Sequence, residues 1–413
     1  MTRASEQILN ELAGDARNEL IGSILPFWIT RMPDSVHGGF YGRINGENNT
    51  VSDAPKGAIL NARILWTFSA ALRELKDPLY LETALRAKDY IFKHFFDDEY
   101  GGTYWCLKSN GEPLDTKKQV YSQAFFIYAL SEYYMATGDE ECLKKAVELF
   151  HIIEDHSFDK ELNGYLEAFD RQWGEIADLR LSEKDANEKK TMNTHLHILE
   201  AYTNLFRIWP DDKLRDQLRN LVNIFLNRIV DGSNSHLNLF FDEQWNCRST
   251  LVSYGHDIEA SWLLYEAAEV LNDSNLTAVV KEKAIKILKA AGEGLQADGS
   301  LIYERDNAVG HIDRDRHWWV QAEAVVGFLN AFELTGDEDY LLKSSKCYNY
   351  IKNNLVDRVG GEWYWSIKSD GTVNKTDDKA GFWKCPYHNS RMCLEIMARS
   401  MEHGAWTWVQ DNL

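Results

Sequence analysis

Internal repetition constrains this chain more than any other feature. Tyr104-Trp105-Cys106-Leu107-Lys108-Ser109-Asn110-Gly111 matches Tyr364-Trp365-Ser366-Ile367-Lys368-Ser369-Asp370-Gly371, every position offset by 260 residues. A glycine pair precedes each copy, Gly101-Gly102 and Gly360-Gly361, and a third copy runs from Gly38 to Gly46. Fainter copies sit at Asn163-Gly164-Tyr165-Leu166 and Asp298-Gly299-Ser300-Leu301, with a degenerate one near His236 to Phe241. Gly39, Gly102, Gly164, Gly299 and Gly361 are spaced by 63, 62, 135 and 62 residues, and the long gap holds the degenerate copy. The period predicts six units of one supersecondary design that stack on each other. Asn-Gly and Asp-Gly favour tight turns with positive φ, so each copy reads as a short hairpin.

Between hairpins the pattern is helical. Leu214, Leu218, Leu221, Val222, Phe225, Leu226 and Ile229 mark an amphipathic helix, as do Leu143, Ala146, Val147, Phe150 and Ile153. The segments from Ile59 to Leu72 and from Tyr121 to Ala136 are apolar nearly all round, which predicts burial on every side. Thr137-Gly138-Asp139 and Thr335-Gly336-Asp337 each end a buried helix and open an amphipathic one. Glycine suits a helix C-terminus and aspartate an N-cap. Six buried helices inside six amphipathic ones give an all-α fold. The expected architecture is an (α/α)6 barrel over residues 1–413, one catalytic domain with short β-hairpins at the barrel mouth. The polar stretch from Ser182 to Lys190 reads as a loop over that mouth.

Charge and composition narrow the function classes. The net charge of −19 disfavours nucleic acid. No apolar run is long enough to span a membrane or to serve as a signal segment. None of the six cysteines forms a Cys-x-x-Cys pair, and a chain this long needs no disulfide staples, so a reduced cytoplasmic protein is expected. The 14 tryptophans and 19 tyrosines fit either a bulky core or a site for sugar rings.

Polar residues that open the buried helices mark the candidate site. They are Asn61 and Arg63, then Tyr121, then Asn193, His195 and His197, then His256 and Glu259, then Trp319, and finally Trp383 and His388 around Pro386. A buried arginine needs an acceptor, which an internal salt bridge or a ligand can supply. Asn193 and His197 share a helix face, whereas His195 points to another side, so this is no His-x-x-x-His zinc pair. His256 and Glu259 share a face, where a carboxylate can orient an imidazole. His197, His256 and His388 therefore converge from three helices. From the residues alone, a three-histidine metal site and general acid/base chemistry both stay open.

In these segments the chain resembles the cellobiose 2-epimerases, within the wider N-acylglucosamine 2-epimerase superfamily. The likeness rests on Leu60-Asn61-Ala62-Arg63-Ile64-Leu65-Trp66-Thr67-Phe68-Ser69, Met192-Asn193-Thr194-His195-Leu196-His197, Gly255-His256-Asp257-Ile258-Glu259, Trp318-Trp319-Val320-Gln321-Ala322-Glu323 and Pro386-Tyr387-His388. Each is weak alone; five in order over nearly the whole chain are specific. The resemblance implies an (α/α)6 barrel that works without metal, nucleotide or other cofactor. It implies His388 and His256 as the acid/base pair, with His197 assisting ring opening. It further implies Arg63, Tyr121 and Asn193 at the reacting end, Glu259 orienting His256, and Trp319 and Trp383 stacking on sugar. Glu304, Asp185 and Trp66 complete the implied contacts.

The implied reaction inverts carbon 2 of a reducing-end glucose in a β-linked disaccharide through an enediolate. The implied partner is that small molecule alone, with the protein a monomer or weak homodimer. The rival expectations are an aldose–ketose isomerase, an N-acylglucosamine 2-epimerase, a glycoside hydrolase using Glu259, Glu304 and Glu323, and a non-catalytic sugar-binding barrel.

Overall fold

A computed structural model describes residues 2–402. Residues 1 and 403–413 of the expected domain span lie outside the described residues. The chain opens with α1 (Arg3–Glu19), which passes through a π-helical turn at Leu20–Ile24 into α2 (Leu25–Arg31). Then follow α3 (Ala58–Leu75), α4 (Leu79–His94), α5 (Val120–Thr137), α6 (Glu140–His156), α7 (Met192–Ile208) and α8 (Asp212–Ile224). The last five are α9 (Tyr254–Val270), α10 (Ser274–Ala291), α11 (Trp318–Thr335), α12 (Glu338–Tyr350) and α13 (Tyr387–Glu402).

Packing closes the odd-numbered helices into a ring. α3 packs on α5, α5 on α7, α7 on α9, α9 on α11, α11 on α13, and α13 returns to α3. Around this ring, α4, α6, α8, α10 and α12 each cover the inner helix that precedes them, and α1 covers α13. The arrangement is the expected (α/α)6 barrel. The chain, however, starts with the outer helix of the sixth pair, so its first segment seals its last. Burial follows the same division. Every residue from Val120 to Tyr133 of α5 is buried, whereas α8 buries only Leu214, Leu218, Leu221, Val222 and Ile224. The two Thr-Gly-Asp junctions behave as read. Gly138 and Gly336 take φ of 75° and 72° at the helix ends, and Asp139 and Asp337 cap the helices that follow.

The hairpins form a belt at the N-terminal ends of the inner helices. The strand before each inner helix pairs antiparallel with the hairpin of the next unit. Lys56–Gly57 pairs with Cys106–Leu107, Lys118–Gln119 with Ala168–Phe169, and Lys190–Thr191 with Phe240–Phe241. Leu251–Ser253 pairs with Glu304–Asp306, Arg316–His317 with Ser366–Ile367, and the bridge between Ile44 and Ala380 closes the circle. All six repeat copies appear as tight loops. In the degenerate copy the positive-φ position is Ser235 (φ 67°), where the other copies use Gly38, Gly101, Asn163, Gly299 and Gly361.

Two side-chain devices lock the belt to the ring. In four units a buried lysine bridges the strand to an aspartate in the tight loop: Lys56 to Asp34 (2.8 Å), Lys118 to Asp97 (2.9 Å), Lys190 to Asp159 (2.8 Å) and Lys379 to Asp357 (2.6 Å). Four of the six inner helices also offer an acceptor to a loop amide. Gln123 receives the amide of Thr103, His195 that of Tyr165, Asp257 that of Leu237, and Gln321 that of Leu301. His195 is thus an anchor of the hairpin, with Nδ1 also held 2.6 Å from the carbonyl of Thr191.

The clamp yields a prediction. The Lys118 and Asp97 side chains are both 0% exposed. Asp97→Ala strands a buried ammonium and is expected to cost about 3–5 kcal/mol. Adding Lys118→Met should recover part of the loss, measured by urea unfolding, because Arg171 also donates to Asp97 at 2.9 Å and that contact is not restored. Equal stability of Asp97→Ala and the wild type would refute the clamp.

Candidate active site

Each inner helix begins beneath the hairpin belt, so the inward-facing side chains of its first two turns share one layer. That placement brings His197, His256, His388, Arg63, Tyr121 and Trp319 together. His197, His388, Arg63 and Tyr121 are nearly fully buried. Trp319 links the two proposed acid/base histidines, with its ring 4.8 Å from that of His256 and 5.7 Å from that of His388. Gly255 makes the approach possible, because a Cβ there would meet the Trp319 ring at 2.6 Å. On the far side, the Tyr121 ring lies 4.9 Å from His197 and 6.0 Å from Trp383.

All three imidazoles are held through Nδ1. His388 Nδ1 lies 2.6 Å from Glu323 Oε1, His197 Nδ1 lies 2.9 Å from Glu200 Oε2, and His256 Nδ1 lies 2.7 Å from Ser253 Oγ. A carboxylate can only accept, so His388 and His197 carry their proton on Nδ1 and present an Nε2 lone pair. Burial presses the histidines toward the neutral form. It lowers His197 well below its usual value, with Arg63 and Arg391 adding to the effect. Burial also brings His256 and His388 down to about 3.

Beneath the histidines lies a layer of charge. Arg391 Nη2 donates to Glu259 (2.7 Å) and to Glu323 (2.6 Å), and its Nη1 donates to Glu200. Tyr387 also donates to Glu200, and Trp262 Nε1 donates to Glu323 at 3.1 Å. Burial, then the neighbouring Glu323, pushes the Glu259 carboxyl upward, and Arg391 works against that rise. Burial opposes the charge on Glu323, but Arg391 and His388 overcome it and hold the group at about 2.

Arg63 differs from Arg391. Its Nη2 donates to Tyr121 Oη at 3.0 Å, and its guanidinium lies over the Phe125 and Tyr387 rings at 4.3 and 4.8 Å. Among the described residues no carboxylate pairs with it, and Nε has no hydrogen-bond partner. The internal salt bridge weighed from the sequence is absent there. The free cation is suited to a developing oxyanion.

A cavity of about 270 Å³ opens above this floor. Asn193, Ser253 and His256 line its base, Tyr303 and Glu304 its wall, and Lys184 and Asp185 its covering loop, where the polar loop was expected. The buried Oδ1 of Asn193 has no hydrogen-bond partner, as expected of a group that meets a ligand hydroxyl. Asp185 is tied back by the amide and hydroxyl of Ser182. Trp383 packs on Trp105 and Phe382 beside Tyr121.

Two placements differ from expectation. Glu259 does not orient His256. Side chains on a helix lean toward its N-terminus, so His256 reaches back to Ser253 in the preceding strand while Glu259, one turn deeper, meets Arg391. Trp66 does not join the mouth. It stacks on Tyr128 at 5.3 Å and lines a cavity with Arg73, Glu132 and Arg399. Glu200, Glu323, Tyr387 and Arg391 were not assigned these roles from the sequence. The Glu200 role was legible, since His197 and Glu200 have the same i, i+3 spacing as His256 and Glu259. The pairing of Glu323 with His388 spans two helices and has no spacing signal.

A metal reading finds a different occupant. Among the described residues, Glu259, Glu323 and His388 bring ligand atoms within 4.8 Å of one another, and the three histidines form no such set. The Arg391 guanidinium already donates to both of those carboxylates.

Comparison with known proteins places this geometry. Residues 39–391 match the family described as N-acylglucosamine 2-epimerase. The chain is 58% identical to a cellobiose 2-epimerase of Bacteroides fragilis, over 94% of this chain and 98% of that protein. It is 41% identical to a cellobiose 2-epimerase of Ruminococcus albus, over 95% and 100%. The solved cellobiose 2-epimerase of Bacillus thermoamylovorans superposes with a TM-score of 0.89 at 45% identity, covering 94% of this chain and 100% of the other. With the barrel, the histidine cluster and these matches in agreement, the chain belongs to the N-acylglucosamine 2-epimerase family.

Proposed function

We propose that this barrel inverts carbon 2 of the reducing-end glucose in β-1,4-linked disaccharides such as cellobiose and lactose. The observation that carries the reading is the set of three imidazoles anchored at Nδ1, beside a guanidinium with no carboxylate partner. The relatives named cellobiose 2-epimerase support the choice of substrate.

The steps follow from the groups present. The pyranose ring opens to an aldehyde, helped by His197 at the carbon 1 oxygen. The Nε2 lone pair of one histidine of the His256/His388 pair takes the carbon 2 hydrogen as a proton. The C–H electron pair passes into an enediolate, whose negative charge Arg63 stabilises. A proton returns to the opposite face of carbon 2, either from the second histidine or after rotation about the carbon 2–carbon 3 bond. Glu323 favours the imidazolium of His388. Asn193 and Tyr121 bind the reacting end, and Trp319 and Trp383 offer ring faces to the sugars. Asp185 and Glu304 meet the outer sugar. The chain acts as one catalytic domain, cytoplasmic, as a monomer or weak homodimer. Among the described residues no helix is long and apolar enough to cross a membrane.

One incubation tests the reading: cellobiose in deuterated water with chelator and no nucleotide. The expected product is a mannose-ended disaccharide with deuterium at carbon 2. Free monosaccharides would indicate hydrolysis, a ketose end isomerisation, and unchanged sugar a binding protein; each would displace the proposal. His256→Ala and His388→Ala should each lower kcat by about 10²- to 10⁴-fold. Wild-type turnover in either would remove that residue from the chemistry.

The Glu323 contact gives a pH prediction. A carboxylate beside an imidazole raises its pKa, so losing the charge lowers it. The reaction needs one histidine protonated and one neutral, which gives a bell-shaped profile. In Glu323→Gln the limb that His388 sets should move to lower pH, read from kcat against pH. An unmoved limb would show that His388 does not depend on this carboxylate.

A further inference from the structure

Ser253 occupies the N-cap position of α9 yet its side chain caps nothing. At the equivalent place before α7, Thr191 accepts from the amide of Thr194, as N-cap residues normally do. Ser253 Oγ lies instead 2.7 Å from His256 Nδ1, 3% of the residue is exposed, and it lines the cavity. Among the described residues this is the one recorded hydrogen bond of the His256 ring. His197 and His388 make the same contact through the same nitrogen, but to carboxylates.

We infer that Ser253 is a positioning residue that accepts the Nδ1 proton of His256 and thereby fixes the tautomer whose Nε2 faces the sugar. The inference rests on the proposed acid/base role of His256. A base needs a lone pair on Nε2, and a neutral imidazole has it there only when Nδ1 holds the hydrogen. When His256 becomes imidazolium, Nδ1 keeps its hydrogen and Ser253 stays an acceptor, so one serine geometry serves both protonation states. The hydroxyl is neutral, so it orients His256 without the charge stabilisation that Glu323 lends His388. The helix gives up a side-chain cap for this contact, a loss of about 1 kcal/mol where such caps are removed.

The test uses two independent readouts. Nitrogen-15 spectra of histidine-labelled protein report which ring nitrogen carries hydrogen, and the His256 signals are those that vanish in His256→Asn. Hydrogen on Nδ1 and a bare Nε2 are expected. Hydrogen on Nε2 overturns the inference whether or not the protein turns over cellobiose. On cellobiose, Ser253→Ala should lower kcat at least about 10-fold with KM changed less than about 2-fold. Its melting temperature should match the wild type, because no cap is lost. Ser253→Thr, which keeps the hydroxyl, should recover most of the rate. Wild-type kcat in Ser253→Ala overturns the inference while leaving the epimerase reading intact. An inactive wild type instead defeats the epimerase reading, and the spectra still decide the tautomer. Should Ser253→Ala fold poorly, Ser253→Gly takes its place, since glycine is an accepted N-cap residue.

Discussion

Arg391 at the barrel axis is the contact on which the rest depends. Its guanidinium joins Glu200 of α7, Glu259 of α9 and Glu323 of α11 from its own place on α13. Four of the six inner helices are therefore pinned by one cation. Burying an ion costs several kcal/mol, and the three carboxyl groups that take hydrogen bonds from its two Nη atoms offset that cost, while Nε has no partner among the described residues. The cluster's oxygens and nitrogens cannot shift without stranding a buried charge. Two of the three carboxylates also hold imidazoles, so the network that centres the barrel also aims its histidines.

The histidines are alike in geometry and unlike in electrostatics. Each is gripped at Nδ1, which leaves Nε2 outside that contact. His388 and His197 are backed by carboxylates and His256 by a hydroxyl. A proton arriving on His388 meets a negative charge at 2.6 Å, whereas one on His256 meets only a dipole.

The scaffold makes this precision possible by repetition. Every inner helix starts at the same height because its preceding strand is paired to the next hairpin and, in four units, bolted by a lysine–aspartate bridge. Where Val252 and Arg316 stand in place of the lysine, the three-stranded pairing of Leu251–Ser253, Glu304–Asp306 and His311–Asp313 and the Arg316–His317 pairing with Ser366–Ile367 carry the load. Helices that begin in register present their first inward residues in one layer. This is why residues spread from Arg63 to Arg391 meet in a single site.

Much of this was legible before any coordinates. Glycine spacing marked six loops, since only a few residues accept positive φ. Helices apolar on every side had to be inner ones. Polar residues inside such helices had to have a reason: His256 lines the cavity, and His197 and His388 are held by Glu200 and Glu323. Local spacing misled at Glu259, because residues three apart on a helix share a face without touching when their side chains end at different depths. It was silent on Glu323 and Arg391, whose partners lie on other helices. It also could not tell that Trp66, in the same helix as Arg63, faces the other end of the barrel. The sequence by itself determined the repeat, the division into inner and outer helices and the residues that converge, because periodicity and burial are local properties of a chain. Tertiary structure alone decided which acid holds which histidine, which arginine stays unpaired and that the first helix seals the last, because those depend on distances across a closed ring.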